Sequence, residues 1–281
     1  MQTLRIASLT ALALLAFAAN SLLCRLALRD GHSDPASFNL IRLASGALIL
    51  GLIVSMRSSA ARGSGNWLSA IALFVYAAGF SFAYIGLAAS TGALLLFGAV
   101  QMTMIGIGLR RGERLNLVQT IGFLSAIIGV VLLLLPGLSA PPLSSSLMMV
   151  IAGIAWGVYS LRAKGAGDPT KVTAGNFLRA APIAVVTYLI MSTSAHIDRT
   201  GMLYALASGA IASGLGYAVW YAALKHLPAT SAAALQLSVP IIASLGGSVF
   251  LSEQLSTTLL VASVLTLGGM GMVIAGRSAI N

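Results

Sequence analysis

Apolar runs of about twenty residues follow one another along the whole chain, separated only by short basic, Gly/Pro or Ser-rich connections, and this feature limits the fold more than any other. Within hydrocarbon every backbone polar group must be satisfied internally, so runs of this length read as membrane-crossing helices. They predict spans near residues 5–25, 36–55, 67–87, 92–109, 117–135, 146–163, 172–193, 201–224, 230–251 and 257–275. Composition agrees: 58% of the 281 residues are hydrophobic and 8% are charged, against roughly 25% charged in an average soluble domain. The expected fold class is an all-α integral membrane protein with ten transmembrane helices.

A net charge of +10 would suggest nucleic acid if the basic residues formed a patch, but they stand singly or in threes between the apolar runs. Nucleic acid is therefore not an expected partner; the lipid bilayer is. With ten spans, Arg5, Arg57, Arg62, Arg110, Arg111, Arg114, Arg162, Lys164, Lys171, Lys225 and Arg277 share one side, 11 of the 16 basic residues, while Arg25, Arg29 and Arg199 share the other. Arg42 and Arg179 fall inside spans. Basic loops stay cytoplasmic, so both termini are expected there. The first segment also reads as a cleaved signal peptide, with Arg5 ahead of an apolar stretch ending in Ala18 and Ala19. Its use in the repeat described next argues that it is kept. A lone Cys24 excludes an intrachain disulfide, and without a CxxC or Cys/His cluster no metal or other cofactor is expected.

The two halves are distant copies. NLIR at Asn39–Arg42 aligns with NFLR at Asn176–Arg179, and Gly79, Phe80, Tyr84 and Leu87 with Gly216, Tyr217, Tyr221 and Leu224, at an offset of 137. GERL (Gly112–Leu115) meets SEQL (Ser252–Leu255) and Gly129 meets Gly269 at 140, while Phe17 and Ser21 meet Trp156 and Ser160 at 139. Successive matches with nearly constant offsets define two units, 1–138 and 139–281. Five helices is an odd number, so the second unit is expected to be inverted in the membrane. Such inverted repeats enclose a midplane site opened to each side in turn.

Candidate substrate-binding residues are the polar and aromatic groups at helical spacing within the spans. The first and sixth helices offer Phe17, Asn20 and Ser21, and Trp156, Tyr159 and Ser160. The third and eighth offer Tyr76, Phe80 and Tyr84, and Tyr217, Trp220 and Tyr221; the fourth and ninth offer Gln101 and Gln236. Aromatics also serve as lipid-facing belts or bundle core, a reading that suits Tyr76 and Tyr221. Gly153 and Gly157 would open space in front of Trp156 and Tyr159. Pro240 should kink the ninth helix and free the carbonyl of Gln236. Arg42 and Arg179 are structural groups that snorkel or bond backbone carbonyls, or else gating or carboxylate-binding groups at each mouth. Glu113 and Glu253 should cap the helices that follow them. Asp30, Asp34, Asp168 and Asp198 fall in loops, leaving no carboxylate deep in a span, which favours a neutral or zwitterionic solute over a cation.

Ten spans in two five-helix copies, a Glu after each fourth helix (GERL and SEQL) and an arginine in each second helix resemble the EamA type of the drug/metabolite transporter superfamily over essentially the whole chain. Within it the chain is most similar to the YddG-type exporters of aromatic amino acids. The resemblance implies a basket in which helices 1, 3, 4, 6, 8 and 9 enclose a central cavity. It makes Trp156, Tyr159, Phe80, Tyr217, Gln101 and Gln236 lining positions, and implies export of aromatic and other neutral amino acids across a bacterial inner membrane by a monomer or weak oligomer. Ser252 departs from the first copy's Gly112. Rival readings are an efflux carrier for drugs or other metabolites and a passive channel or scaffold. An enzyme is not expected, since His32, His196 and His226 lie in loops or at span ends and no HExxH or GxSxG occurs.

Overall fold

The structure, a computed structural model, describes residues 2–57, 65–135, 141–163, 167–227 and 229–278. The expected boundary at residues 138 and 139 lies outside these, as do Arg62 and Lys164. The described residues are helical, with no strand and one isolated bridge between Ser33 and Ile197. The helices are α1 (Gln2–Arg29), α2 (Pro35–Arg57), α3 (Trp67–Ala83), α4 (Ala89–Arg110), α5 (Leu117–Leu134), α6 (Leu143–Ala163), α7 (Pro169–Ile190), α8 (Arg199–Leu224), α9 in two pieces (Ala229–Gln236 and Ser238–Leu251) and α10 (Thr257–Ser278).

Nine of these are long and apolar enough to cross a membrane, and α3, at 17 residues or about 26 Å, is shorter than its expected run to residue 87. A reason sits on α1. The Arg25 guanidinium donates from Nη1 to the carbonyls of Tyr84 and Ile85 at 2.9 and 3.0 Å, satisfying acceptors just past the end of α3 where the helix would otherwise continue. Other ends use side-chain caps: Asn66 accepts from Ser69 N–H, Asp168 from Thr170 N–H, Asp198 from Gly201 N–H, and Asn116 and Gln119 form a reciprocal capping box on α5.

Two helices depart from regular α geometry. In α8, residues Ala207–Leu215 form a π-helix, a rare register that is frequent at functional sites. Gly209 lies there against the Arg42 carbonyl and Ser45, where any Cβ would collide. The ninth helix breaks at Leu237, one turn before Pro240, where the missing N–H leaves no donor for the Gln236 carbonyl.

The principal packing pairs mirror each other when each helix is exchanged for the one five places on. The α3–α6 contact matches α1–α8, α4–α6 matches α1–α9, and α3–α7 matches α2–α8, while α2–α7, α4–α9 and α5–α10 map onto themselves. The α5–α10 pair is close because Gly122 and Gly269 face one another's backbone and Gly129 faces Thr266, leaving no room for a Cβ on any of the three. Its outer residues, including Leu117, Ile121, Leu124, Leu260 and Val264, are exposed and apolar, as a lipid-facing surface requires.

The start of α1 and the end of α10 lie at the same end of the bundle. Arg5 shares a cleft with Pro169 and Lys225, and Gly276 near the end of α10 packs on Asn116 and Gln119 at the start of α5. This end, the basic end, carries most of the described basic loop residues.

Candidate functional site

Six helices meet halfway along the bundle and contribute side chains to one small cavity. Phe17, Asn20 and Ser21 come from α1, Tyr76 and Phe80 from α3, Leu96 and Phe97 from α4, Trp156 from α6, Ala212 and Tyr217 from α8, and Gln236 from α9. Their spacings are those of single helical faces, so each helix presents one stripe to the centre. Six of the nine candidate binding residues are therefore brought together: Trp156, Phe80, Tyr217, Gln236, Asn20 and Ser21.

The other three lie outside the lining. Tyr159 is buried behind Trp156, with the two rings stacked at 5.2 Å and 27°. Tyr84 is buried beneath Phe80, edge to face at 4.7 Å. Gln101 is buried in α4 away from the lining. Nor do Gly153 and Gly157 open space before Trp156. They face α4, where Cβ atoms would meet Leu96, Ala99, Val100 and Thr103, and so draw α6 and α4 together.

The cavity is shut by its own rings. Trp156 packs on Tyr76 at 4.7 Å and Tyr217 at 5.2 Å, Tyr76 on Phe80 at 5.6 Å, and Phe17 meets Tyr217 and Trp220 edge to face at 5.7 and 5.8 Å. What remains is about 20 Å³, room for one water. The sequence suggested an open central pocket; the structure has its lining in a collapsed arrangement, because interlocking aromatic faces attract one another and exclude solvent. Polar groups at the rim are also engaged, Asn20 Oδ1 accepting from Ser208 Oγ at 2.6 Å.

Toward the basic end a cleft of about 630 Å³ opens between α1, α7 and α8, lined by Arg5, Ile6, Leu9, Thr170, Tyr221 and Lys225 among others. Only a thin layer separates it from the central rings. Tyr159 hydroxyl donates to Thr173 Oγ1 at 3.4 Å, Thr173 donates to the Tyr221 hydroxyl at 3.3 Å, and Asn176 Nδ2 donates to Tyr159 at 3.5 Å. All three are long bonds. Tyr84 is fully buried at the far end, while Tyr221 lines the cleft.

The far end is tied more tightly. Both Glu253 carboxylate oxygens accept from Ala89 N–H, at 3.0 and 2.9 Å, and Oε1 lies 3.4 Å from Arg25 Nε. Glu253 was expected to cap the helix that follows it. It caps α4 instead, and α10 uses Ser256, whose Oγ accepts from Leu259 N–H. For α5 the cap is Asn116 rather than Glu113, which lies against Gly108. Arg29 Nη1 donates to the Leu251 carbonyl at 2.8 Å, placing a cation on the C-terminus of α9. Nearby, the loops between α1 and α2 and between α7 and α8 are joined by Asp34 N–H to the His196 carbonyl (2.7 Å), His196 N–H to Asp34 Oδ2 (2.8 Å) and His32 to Asp198 (2.7 Å). Burial pushes the Asp34 carboxyl up, but donors from Ser37, His196 and Ala36 bring it below the usual range; Asp198 is lowered by Gly201 N–H and by His32.

Arg42 does not snorkel. Its side chain is buried against the cavity's back wall, 1% exposed, with Nη2 donating to the Tyr76 hydroxyl at 3.0 Å and Nε to Ser213 Oγ at 3.4 Å. Its Cζ lies 4.8 Å from the Phe80 ring centre and 5.2 Å from that of Tyr76. Arg179, 137 residues further along, is half-buried and donates to Gly175 O on its own helix at 2.8 Å. Sequence reasoning passed over Leu96, Phe97 and Ala212, and Ser208 and Ser213 join them by bonding Asn20 and Arg42. The π register of α8 brings the last three to the centre, and no residue pattern announces that register.

The sequence pattern of the EamA-like transporter family matches residues 143–275. Uncharacterized protein PA1977 of Pseudomonas aeruginosa is 53% identical over 270 residues, 96% of this chain and 94% of its own. The chain belongs to the EamA-like transporter family. A solved crystal structure of a protein covers 95% of this EamA chain and 97% of its own length with a TM-score of 0.68; at 20% identity the likeness shows the fold alone. The EamA family is one of membrane transporters of the drug/metabolite superfamily, so a small-molecule substrate and a lipid bilayer are implied and an enzyme is not. The aromatic cavity at the meeting point of six helices is the natural candidate for the EamA substrate site.

Proposed function

We propose that this EamA transporter exports aromatic and other neutral amino acids, or related small metabolites, from the cytoplasm across a bacterial inner membrane. In this reading the chain crosses the membrane ten times, units 1–138 and 139–281 are inverted copies, and both termini are cytoplasmic. The transporter works by alternating access. The observation that carries the proposal is the composition of the central lining: six aromatic rings of Phe17, Tyr76, Phe80, Phe97, Trp156 and Tyr217, with Asn20, Ser21 and Gln236 among them. Rings accept an aromatic side chain face to face or edge to face, an ammonium lies favourably over a ring, and the amides and hydroxyl bond either end of a zwitterion.

Alternating access is supported by the mirrored packing pairs, by the start of α1 and the end of α10 lying at one end of the bundle, and by the unlike closures of the bundle's two ends. The basic end has a cleft above a layer of long hydrogen bonds, and the far end is held by an ion pair and several charged caps. In the proposed cycle the solute enters from the cleft, parts the Tyr159–Thr173–Tyr221 layer and separates Trp156 from Tyr76. The basic-end connections then close as the Arg25–Glu253 tie releases. Pro240 and the break at Leu237 give α9 a joint for this motion.

Protein in liposomes should exchange labelled phenylalanine by saturable counterflow, and Trp156→Ala should slow it when assayed well below the variant's own melting temperature, which the lost ring contacts lower. A panel of neutral amino acids and cationic drugs, run with and without a pH gradient, tests both solute class and driving force. Transport of cations but not of phenylalanine would sink the amino-acid reading, and non-saturable flux would sink the carrier.

A further inference from the structure

Among the described residues, Arg42 is the one charged side chain in the fully buried set, and its charge has no counter-ion there. Arginine cannot shed its proton, so the cation persists in a medium that penalises it. Each of the chain's six acids stands elsewhere. Asp30 pairs with Arg29, Glu253 with Arg25 and Asp198 with His32; Asp34 and Asp168 cap helices, and Glu113 lies against Gly108 at the end of α4. The guanidinium has two hydroxyls and two ring faces for company, and its Nη1 is buried with no hydrogen-bond partner. Both rings it touches, Tyr76 and Phe80, line the central cavity, and Ser213 adjoins the lining residue Ala212. An unspent donor on a fixed, planar fork at the wall of an aromatic cavity is suited to a carboxylate, which such a fork binds through two parallel bonds.

We propose that Arg42 receives the carboxylate of the transported solute, so that the substrate class is aromatic or apolar carboxylates, zwitterions included, and not amines. This deepens the transport reading above and rests on it. The incoming carboxylate takes Nη1 and competes with the Tyr76 hydroxyl for Nη2. Tyr76 is also the ring that packs on Trp156 at 4.7 Å, so releasing its hydroxyl loosens one of the contacts that shut the cavity. Solute charge is thereby tied to opening. Arg179 is half-buried and bonded to its own helix, so the two repeat arginines are not equivalent and the receptor belongs to the first copy.

The test is binding of three probes to the purified full-length protein, read by tryptophan fluorescence: phenylalanine, 3-phenylpropionate and phenethylamine. Wild type should bind the first two and bind phenethylamine at least about 10-fold more weakly, since a charged hydrogen bond is lost. Arg42→Gln and Arg42→Met should weaken both carboxylates by about 10- to 100-fold and leave phenethylamine bound no more weakly than in wild type, since a repelling cation is removed. Arg42→Met should melt at or above the wild-type temperature, because it removes an unpaired buried charge. Wild-type carboxylate affinity in both variants, or phenethylamine bound as well as phenylalanine, overturns the assignment; should a variant fail to fold, the probe series on wild type decides alone. Arg42-dependent carboxylate binding without phenylalanine flux in liposomes would remove the amino-acid transport reading and leave this assignment standing. Phenylalanine flux indifferent to Arg42 would do the reverse.

Discussion

Replacing Glu253 should loosen the far end of the bundle by an amount the structure sets. Its carboxylate, in a side chain 8% exposed, takes the first N–H of α4 on both oxygens and faces Arg25, itself 14% exposed. Breaking a buried pair costs about 3–5 kcal/mol when the survivor is left alone. Arg25 keeps the Tyr84 and Ile85 carbonyls, so Glu253→Ala should fall at the lower edge, about 3 kcal/mol, combining the lost cap with the uncompensated cation. Glu253→Gln retains an acceptor for Ala89 N–H but no charge against Arg25 or the helix dipole, for about 1–2 kcal/mol. At about 2 °C per kcal/mol for a chain of this size, melting should drop by about 6 °C and about 2–4 °C respectively. Cys24 supplies the assay, since it is the chain's single cysteine and is fully buried, so a thiol-reactive fluorophore reports unfolding with no engineered label. A Glu253→Ala protein melting within about 1 °C of wild type would refute the reasoning, by showing that solvent already serves the α4 terminus and Arg25.

Gly269→Ala should separate α5 from α10 and lower the melting temperature, whereas Gly268→Ala, one residue away with open space around it, should be neutral or slightly stabilising; equal melts for the two would contradict the packing. Asp34 and Asp198 have folded pKa values below their ordinary ones, so they contribute stability above about pH 4 that is lost as pH falls through the lower folded values. Melting measured from about pH 6 downward should fall steeply only in acid, and Asp34→Asn should flatten that fall. In a Cys24→Ala background, single cysteines introduced at Arg5 and at Arg110 should both react with an impermeant maleimide from the cytoplasmic side only. Labelling from opposite sides would break the even-crossing topology.

How much was legible in the sequence follows from what each feature depends on. Helix positions need only local periodicity and apolar length, and the spans read from the chain lie within a few residues of helices such as α4, α6 and α10. The end of α3 was misplaced because Arg25, some sixty residues earlier, holds the carbonyls that stop it. Cavity-facing residues were found where they recur on one helical face, as with Phe17, Asn20 and Ser21. Tyr159, Tyr84 and Gln101 belong to equally good faces but lie behind or beside the lining, since only the rotation of each helix against its neighbours distinguishes first layer from second.

Taken by itself, the sequence determined that the chain is helical and membrane-bound, and which polar and aromatic residues are available inside, because burial in lipid and helical periodicity act on neighbours along the chain. Tertiary structure alone decided that Glu253 caps α4 instead of α10, that α8 takes a π turn, that the rings close on one another, and that Arg42 rather than Arg179 sits buried behind them without an anion. Those outcomes depend on contacts between residues far apart in sequence, where a cation's partner is chosen by the packing of whole helices.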